Sequence, residues 1–243
     1  MIKCCKVIPF YFGARRMTFN NPQDVLPLAK YVYENEKNVH PGENLEVDTI
    51  FVNNSPNCEV ANNFFDKING APTKTGKIIV ISGDNVGISF GAYNKAFEKF
   101  KDQYAYWAFT EDDIIVNKNG YFRSAIDQLE QNKKIGFAAF IGVSKGQPFH
   151  AHGGCGITTN KVLSQVCEKY GCLPHAKTYG SGTEYGNWDK QIVGGELPFT
   201  NSIVKLGYKI KKIKTNEIPY IRWDSDHSKI DVQEWGTKGW VKK

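Results

Sequence analysis

Three acidic residues in succession, Glu111-Asp112-Asp113, follow directly on the apolar run Tyr104 to Phe109. Carboxylates this close repel one another and cost stability unless water or a cation neutralises them. Side chains two apart on an extended segment point the same way, so Glu111 and Asp113 can share a divalent cation. Hard oxygen donors favour Mg2+ or Mn2+, which keep positions open for water and phosphate oxygens. The alternative is an acidic loop tip opening the next helix, where carboxylates suit the macrodipole.

A second polar stretch runs from Asp84-Asn85-Val86-Gly87 to Asn94. Its glycines match neither the dinucleotide fingerprint nor the P-loop. Gly91 and Asn94 lie three apart, on one flank of a helix, and a glycine there lets a ligand approach the backbone. An N-cap by Asp84 or Ser89 plus a packing glycine accounts for the same residues. His227, within Trp223-Asp224-Ser225-Asp226-His227, is either a further metal or diphosphate ligand or a solvated turn residue. His150 and His152 flank a Gly-rich turn and read as exposed loop histidines, with substrate contact as the other reading. Trp188 and Asp189 suit stacking on and hydrogen bonding to a sugar ring, or plain surface packing.

The elements that must position these groups alternate. Strands are expected at Lys6–Phe12, Glu46–Asn53, Lys77–Ser82, Tyr104–Phe109 and Gly136–Val143, the second alternating and the last three strongly apolar or β-branched. Helical periodicity marks Pro22–Asn38, Cys58–Asn69, Ser89–Lys101 and the stripe Phe122, Ala125, Ile126, Leu129. Strand and helix in turn, with short links, predict an α/β chain with an open, mostly parallel sheet and right-handed crossovers. Ligands of such sheets bind outside the carboxyl ends of the strands. Gly13 with Arg15 and Arg16, Asn53-Asn54, Asp84-Asn85 and Glu111-Asp112-Asp113 should therefore gather on one edge. The second half is expected to be irregular, because residues 144–156 and 171–195 are rich in Gly, His and polar residues. A long connection of that kind is typically a lid or binding loop.

The 243 residues carry 31 Lys plus Arg against 25 Asp plus Glu, a formal charge of +6, with 41% hydrophobic and 13% aromatic content. This is globular composition rather than disorder, and its length fits one large α/β domain. The basic excess is diffuse, with no focused groove for nucleic acid. No run approaches the roughly 20 apolar residues of a membrane span, and the start has no apolar stretch fit for a secretory signal, so a cytoplasmic chain is expected. Six cysteines in neither Cys-x-x-Cys nor zinc spacing read as reduced and mostly buried. Trp235-Gly236-Thr237-Lys238-Gly239-Trp240 mixes aromatics with lysines and suits either packing over the domain or peripheral membrane contact.

Taken in order, Gly83-Asp84-Asn85-Val86-Gly87, then Asn94-Lys95-Ala96-Phe97, then an aromatic strand ending in Glu111-Asp112-Asp113 resemble the family-2 type of inverting glycosyltransferases with the GT-A (Rossmann-like) fold. The likeness runs over roughly residues 4 to 213. It continues through His152-Gly153-Gly154-Cys155-Gly156-Ile157, similar to a glycine-containing strand beside donor sugar and acceptor. Gly195-Glu196-Leu197-Pro198-Phe199, followed by Leu206-Gly207-Tyr208, resembles the Glu-Asp segment before a helix and its terminal Gly-Tyr. The resemblance implies a single domain over 1–243, with a nucleotide-sugar half (1–116) and an acceptor half (117–243). It implies a donor pocket lined by Phe10, Phe12, Asn53, Asp84, Asn85, Gly87, Gly91, Asn94 and Asp112. Metal ligands would be Glu111, Asp113 and His227; Gly153, Gly154, Trp188 and Asp189 would touch substrate, and Glu196 would be the catalytic base. Two positions depart from the family pattern: Asn53-Asn54 replaces an acidic cluster, and Gly195 replaces the first acid of the Glu-Asp pair.

The implied reaction is metal-dependent transfer of a sugar from a nucleoside diphosphate donor, most simply a UDP-sugar, to a hydroxyl of a carbohydrate, lipid-linked or protein acceptor. Sugar-phosphate nucleotidyltransfer is the alternative enzyme class, with Gly13-Ala14-Arg15-Arg16 as its faint phosphate loop. A non-catalytic nucleotide-sugar or carbohydrate-binding module is the other alternative.

Overall fold

Near-continuous apolar runs along the central strands dictate a sheet covered on both faces, and the computed structural model has this arrangement. It describes residues 1–13, 21–143, 149–175 and 192–213, together with the backbone of four short strands beyond them. In the first half β1 (Ile2–Phe10), α1 (Pro22–Asn38), β2 (Leu45–Asn53), α2 (Glu59–Ile68), β3 (Ile78–Ser82), α3 (Ile88–Phe100) and β4 (Tyr106–Phe109) follow one another. β1 pairs in parallel with β2 and β4, and β2 with β3. Then come β5 (Ile114–Val116), α4 (Tyr121–Gln131), β6 (Ile135–Ala139), β7 (Gly142–Val143), β8 (His150–Ala151), β9 (Gly156–Thr159), α5 (Asn160–Tyr170), α6 (Leu197–Val204) and β10 (Lys209–Lys212). The main sheet has the order β10-β6-β9-β4-β1-β2-β3. Only β9 runs against its neighbours, antiparallel to both β4 and β6. A further strand, β11 (Tyr220–Trp223), pairs antiparallel with β5.

Val7, Ile50, Val52, Trp107 and Phe109 face α3, α5 and α6 in one hydrophobic layer. Their neighbours Ile8, Phe10 and Phe51 face α1 and α2, while Cys4, Ala108, Ala138 and Ile157 face α4. Helix ends follow local chemistry. Asn21 caps α1, accepting from the Gln23 and Asp24 amides, with Pro22 in the first turn. Thr159 caps α5, accepting from the Val162 amide at 3.2 Å, and Gly171 closes it at φ +83°.

One sequence expectation is corrected. Gly136–Val143 is not one strand: β6 ends at Ala139, the Phe140 amide donates to the Cys155 carbonyl (3.0 Å), and β7 pairs with β8 instead. The chain leaves the sheet there because the Phe140 amide and the Ile141 carbonyl, which accepts from the His152 amide, are taken by the turn at 152–155. Between the two irregular stretches expected, 144–156 and 171–195, β9 and α5 fill residues 156–170. α5 carries Val162, Leu163 and Val166 on its buried face, a stripe that a reading focused on glycine and histidine passes over. Among the described residues, no helix is long and apolar enough to cross a membrane.

Candidate functional site

Parallel pairing of β4, β1, β2 and β3 brings their carboxyl ends to one edge. The Asn54 amide donates to the Phe10 carbonyl (2.8 Å), the Gly83 amide to Asn53 (2.7 Å) and the Thr110 amide to Val7 (3.2 Å). Asn53-Asn54, Asp84-Asn85 and Glu111-Asp112-Asp113 therefore share one rim. Arg15 and Arg16 lie outside the described residues.

The acidic triplet is a turn rather than the extended segment expected, because the Ile114 amide donates back to the Glu111 carbonyl at 3.1 Å. Asp112 is buried, while Glu111 and Asp113 are half-buried. Ser89, in the first turn of α3, donates its hydroxyl to Glu111 Oε1 at 3.2 Å. The other oxygen, Oε2, lies over Gly153: a Cβ on that residue would be 2.5 Å from it. Gly153 and Gly154 stand at φ +56° and +66°, left-handed conformations that glycine adopts without strain. Tyr93, on α3, donates its hydroxyl to the Gly153 carbonyl at 3.0 Å and so fastens this turn to that helix. Burial pushes the Tyr93 hydroxyl well up, and the charges of Glu111, Glu196 and Asp113 push the same way, so it stays a donor. Burial and the same three carboxylates also raise the Cys155 thiol, against a smaller opposing pull from the Glu111 backbone.

Glu196 closes the site from the second half. It ends a π-helical turn, Ile192–Glu196, that runs into α6, an irregularity frequent at functional sites. Its side chain is 1% exposed and sits between two imidazoles: His150 Nε2 is 3.2 Å and His152 Nδ1 3.6 Å from Oε2. Burial alone would raise this carboxyl. The two histidines and the Gly153 amide outweigh it and hold the group at about 2, so it stays ionised. The histidines expected to be exposed loop residues are instead partners of Glu196, His150 buried at 2% exposure and His152 half-buried. Their His-x-His spacing was the available signal, since residues two apart along an extended segment face the same way.

Other expected site residues fall differently. Phe10 and Phe12 do not line a donor pocket: both are buried in an aromatic cluster with Phe51, Phe64 and Phe65, because α1 and α2 cover the end of β1. Asn53 spends its amide locally, donating to Asn62 (2.9 Å) and accepting from the Ser55 amide (2.9 Å). Asp84 is exposed and accepts from the Val86 amide at 3.0 Å. Asn85 and Gly87 have φ of +58° and +78°, and Gly87, not Asp84 or Ser89, is the N-cap of α3. A Cβ on Gly87 would lie 2.7 Å from Nδ1 of His175, a residue the sequence reading did not single out. Any Cβ on Gly91 would collide with the Val86 carbonyl, so this chain's own loop fills that approach. Asn94 latches the second half, accepting from the Leu173 amide (2.8 Å) and donating to Glu98 (2.8 Å). Gly195 has no room for the acid of the family pattern, because a Cβ there would lie 2.5 Å from the Phe90 ring. Trp188, Asp189 and His227 lie outside the described residues.

Glu111 and Asp113 supply hard oxygen donors that act on the same two buried groups, Tyr93 and Cys155. That donor chemistry fits Mg2+ or Mn2+, which take one or two carboxylates and fill the remaining positions with water and phosphate oxygens. No ready-made cluster of three or more His, Cys, Asp or Glu ligands occurs among the described residues.

No protein-family model matches the chain, and neither does any curated protein. Solved structures do. S. aureus TarS, a GT-A family glycosyltransferase, aligns over 90% of this chain and 36% of its own, with TM-score 0.50 and 12% identity. A cytidylyltransferase from Leptospira borgpetersenii serovar Hardjo-bovis aligns over 88% of this chain and 76% of its own, with TM-score 0.49 and 13% identity. CMP:2-keto-3-deoxy-manno-octonic acid synthetase complexed with CTP aligns over 87% of this chain and 89% of its own, with TM-score 0.46 and 12% identity. The chain thus has a GT-A-like α/β fold, and it spans about a third of the length of TarS.

Proposed function

We propose that this protein is a glycosyltransferase that moves a sugar from a nucleoside diphosphate donor, a UDP-sugar in its simplest form, to an acceptor hydroxyl with inversion. The reading rests on one observation: two rim carboxylates, Glu111 and Asp113, and a third from the second half, Glu196, lie near enough to act on the same buried pair, Tyr93 and Cys155. Two of them suit a cation on the diphosphate, and the third is held apart by histidines.

In this reading the donor lies across the carboxyl ends of β1 to β4, against the 84–87 loop and the Gly153-Gly154 turn. Glu111 and Asp113 would hold Mg2+ or Mn2+; when bound, the ion neutralises charge on the departing diphosphate. The acceptor oxygen attacks the anomeric carbon from the face opposite the diphosphate. One carbon–oxygen bond forms as the bond to the diphosphate oxygen breaks, with its electron pair leaving on the diphosphate. The acceptor proton passes to the cluster of Glu196, His150 and His152. Ser89 fixes Glu111, and Tyr93 fixes the turn beside it, so the two halves meet in a set geometry.

A thermal-shift titration with UDP and GDP, with and without manganese, tests this. Binding to the folded state at about 100 times Kd adds about 2.7 kcal/mol. For a chain of this size that is a rise of roughly 5–10 °C. UDP with manganese should give that rise in the wild type and lose it in Asp113→Ala. No shift with any nucleoside diphosphate refutes the reading. Pyrophosphate release from nucleoside triphosphate plus sugar phosphate would instead select nucleotidyltransfer.

A further inference from the structure

The main sheet ends at β10, an edge strand whose Lys209, Lys211 and Lys212 are all exposed. The charge does not stop at the strand. The Lys209 amide donates to the Lys134 carbonyl at 2.7 Å, which sets exposed Lys133 and Lys134 against its start. Beside the end of α6, Lys169 reaches from α5 to donate to the Lys205 carbonyl at 3.3 Å, and both lysines are exposed. Opposing charge is sparse. On α4, Asp127 and Glu130 both pair with Arg123; α5 adds exposed Glu168, while α6, β6 and β10 contribute no exposed acid.

Apolar side chains stand at both ends of this strip. Among the described residues, the large hydrophobic side chains that are exposed are Met1, Phe149 and Val204. Val204, 46% exposed, precedes Lys205 where the chain approaches the start of β10. Phe149, 39% exposed, stands at the other end: a Cβ on Gly142 would lie 2.7 Å from its ring and 3.4 Å from the Lys212 stem, so ring and stem border the same spot. β10 is parallel to β6, so that end of the strip lies at the carboxyl edge of the sheet.

We propose that this edge is a docking surface for an anionic phospholipid bilayer, with the lysines on the lipid phosphates and Phe149 and Val204 entering the headgroup layer. Lysine on an edge strand also deters pairing with a second sheet. That role ends at the strand. It accounts neither for Lys133, Lys134, Lys169 and Lys205 beside it nor for two large apolar side chains left in water. A lipid surface accounts for both: its negative potential attracts clustered lysines, and apolar side chains gain by leaving water at the headgroup boundary. A soluble polyanion would use the lysines alone. The proposal needs no sugar donor, so it stands apart from the transferase reading.

Co-sedimentation of the full 243-residue chain with vesicles tests it. Phosphatidylcholine vesicles carrying about 30% phosphatidylglycerol should bind the chain, and pure phosphatidylcholine should not. Salt at about 0.5 M should release it, because it screens the attraction. Each lysine near such a surface strengthens binding about fivefold, so Lys209→Gln, Lys211→Gln and Lys212→Gln together should weaken it about 100-fold. Phe149→Ser should weaken it about tenfold. Lys67→Gln, Lys74→Gln and Lys77→Gln together, on α2 and beside β3 at the opposite edge, should stay within about twofold of wild type. All of these side chains are exposed, and unchanged urea midpoints verify that the variants fold. No binding to the anionic vesicles, or binding that survives loss of the three β10 lysines, overturns the proposal. An equal loss from the opposite-edge set makes the attraction diffuse and also overturns it. Binding of soluble polyphosphate at the β10 lysines, with Phe149→Ser without effect on vesicles, assigns the edge to a soluble polyanion instead.

Discussion

Gly153→Ala separates what the turn at 152–155 does for folding from what it does for the site. At φ +56° an alanine takes a left-handed conformation that costs about 1–2 kcal/mol. Its Cβ would also lie 2.5 Å from Glu111 Oε2, 2.6 Å from Cδ and 2.9 Å from Cγ, so the half-buried Glu111 side chain must swing aside from Cγ outward. The stability loss should therefore stay close to the backbone cost, while Glu111 is displaced from Ser89. Two further substitutions calibrate this. Gly171→Ala, at φ +83° with nothing within 4 Å of the added methyl, carries the backbone cost alone. Gly154→Ala, at φ +66°, places its methyl 2.8 Å from the Phe90 ring and 3.2 Å from the Tyr93 ring. Those rings are 1% and 0% exposed, and overpacking there adds about 1–3 kcal/mol. Urea unfolding should rank the losses Gly171→Ala, about equal to Gly153→Ala, then Gly154→Ala, with unchanged slopes. The manganese-dependent UDP shift should survive in Gly171→Ala and vanish in Gly153→Ala. A Gly153→Ala protein that binds UDP and manganese within twofold of wild type refutes the placement of Glu111 in the donor site. One as unstable as Gly154→Ala refutes the packing described for the turn.

Acid unfolding should carry the signature of Glu196. Its folded-state pKa, about 2, lies below the ordinary 4.5, so the stabilisation is complete above pH 4.5 and is lost as pH falls towards 2. At about 1.4 kcal/mol per unit, the wild type should lose on the order of 3 kcal/mol more than Glu196→Gln across that interval, measured by urea titrations at stepped pH. On the opposite face of the sheet, Lys6 Nζ donates to Glu36 Oε1 at 2.5 Å with both side chains buried, and Thr49 donates to the second carboxylate oxygen at 3.3 Å. Lys6→Met alone should cost about 3–5 kcal/mol in urea unfolding, because it strands a buried carboxylate, whereas adding Glu36→Leu should recover most of that loss.

The parallel half was legible because hydrophobic period and topology suffice for it. The unbroken apolar runs Ile50-Phe51-Val52 and Tyr106–Phe109 say strand, and parallel order alone puts Asn53, Asp84 and Glu111 on one rim. The donor-pocket roles were less legible. Phe10 and Phe12 look the same in a sequence whether they stack on a nucleobase or on Phe65, and only the packing of α1 and α2 decides. Asn53 and Asp84 turned out to serve their own loops, as short polar side chains beside turns commonly do. The pairing of Glu196 with His150 and His152 spans more than forty residues, and no local pattern encodes such a distance. What the sequence did offer was two histidines on one side of an extended segment.

A single reversal of strand direction explains why the two halves meet. β9 pairs antiparallel with β4, placing Gly156 opposite Phe109. The start of β9 therefore lies at the carboxyl end of β4, and the His152–Cys155 turn that precedes it lands beside Glu111, which follows β4. A parallel β9 would have carried that turn to the far edge of the sheet. β10 is parallel to β6, so α6, which leads into it, must return over the sheet with its first residues at the same carboxyl edge. Glu196, immediately before α6, is thereby delivered to His150 and His152. The acidic rim comes from parallel order and the carboxylate–imidazole cluster from one antiparallel strand, and the proposed transfer would use both on one side of the sheet.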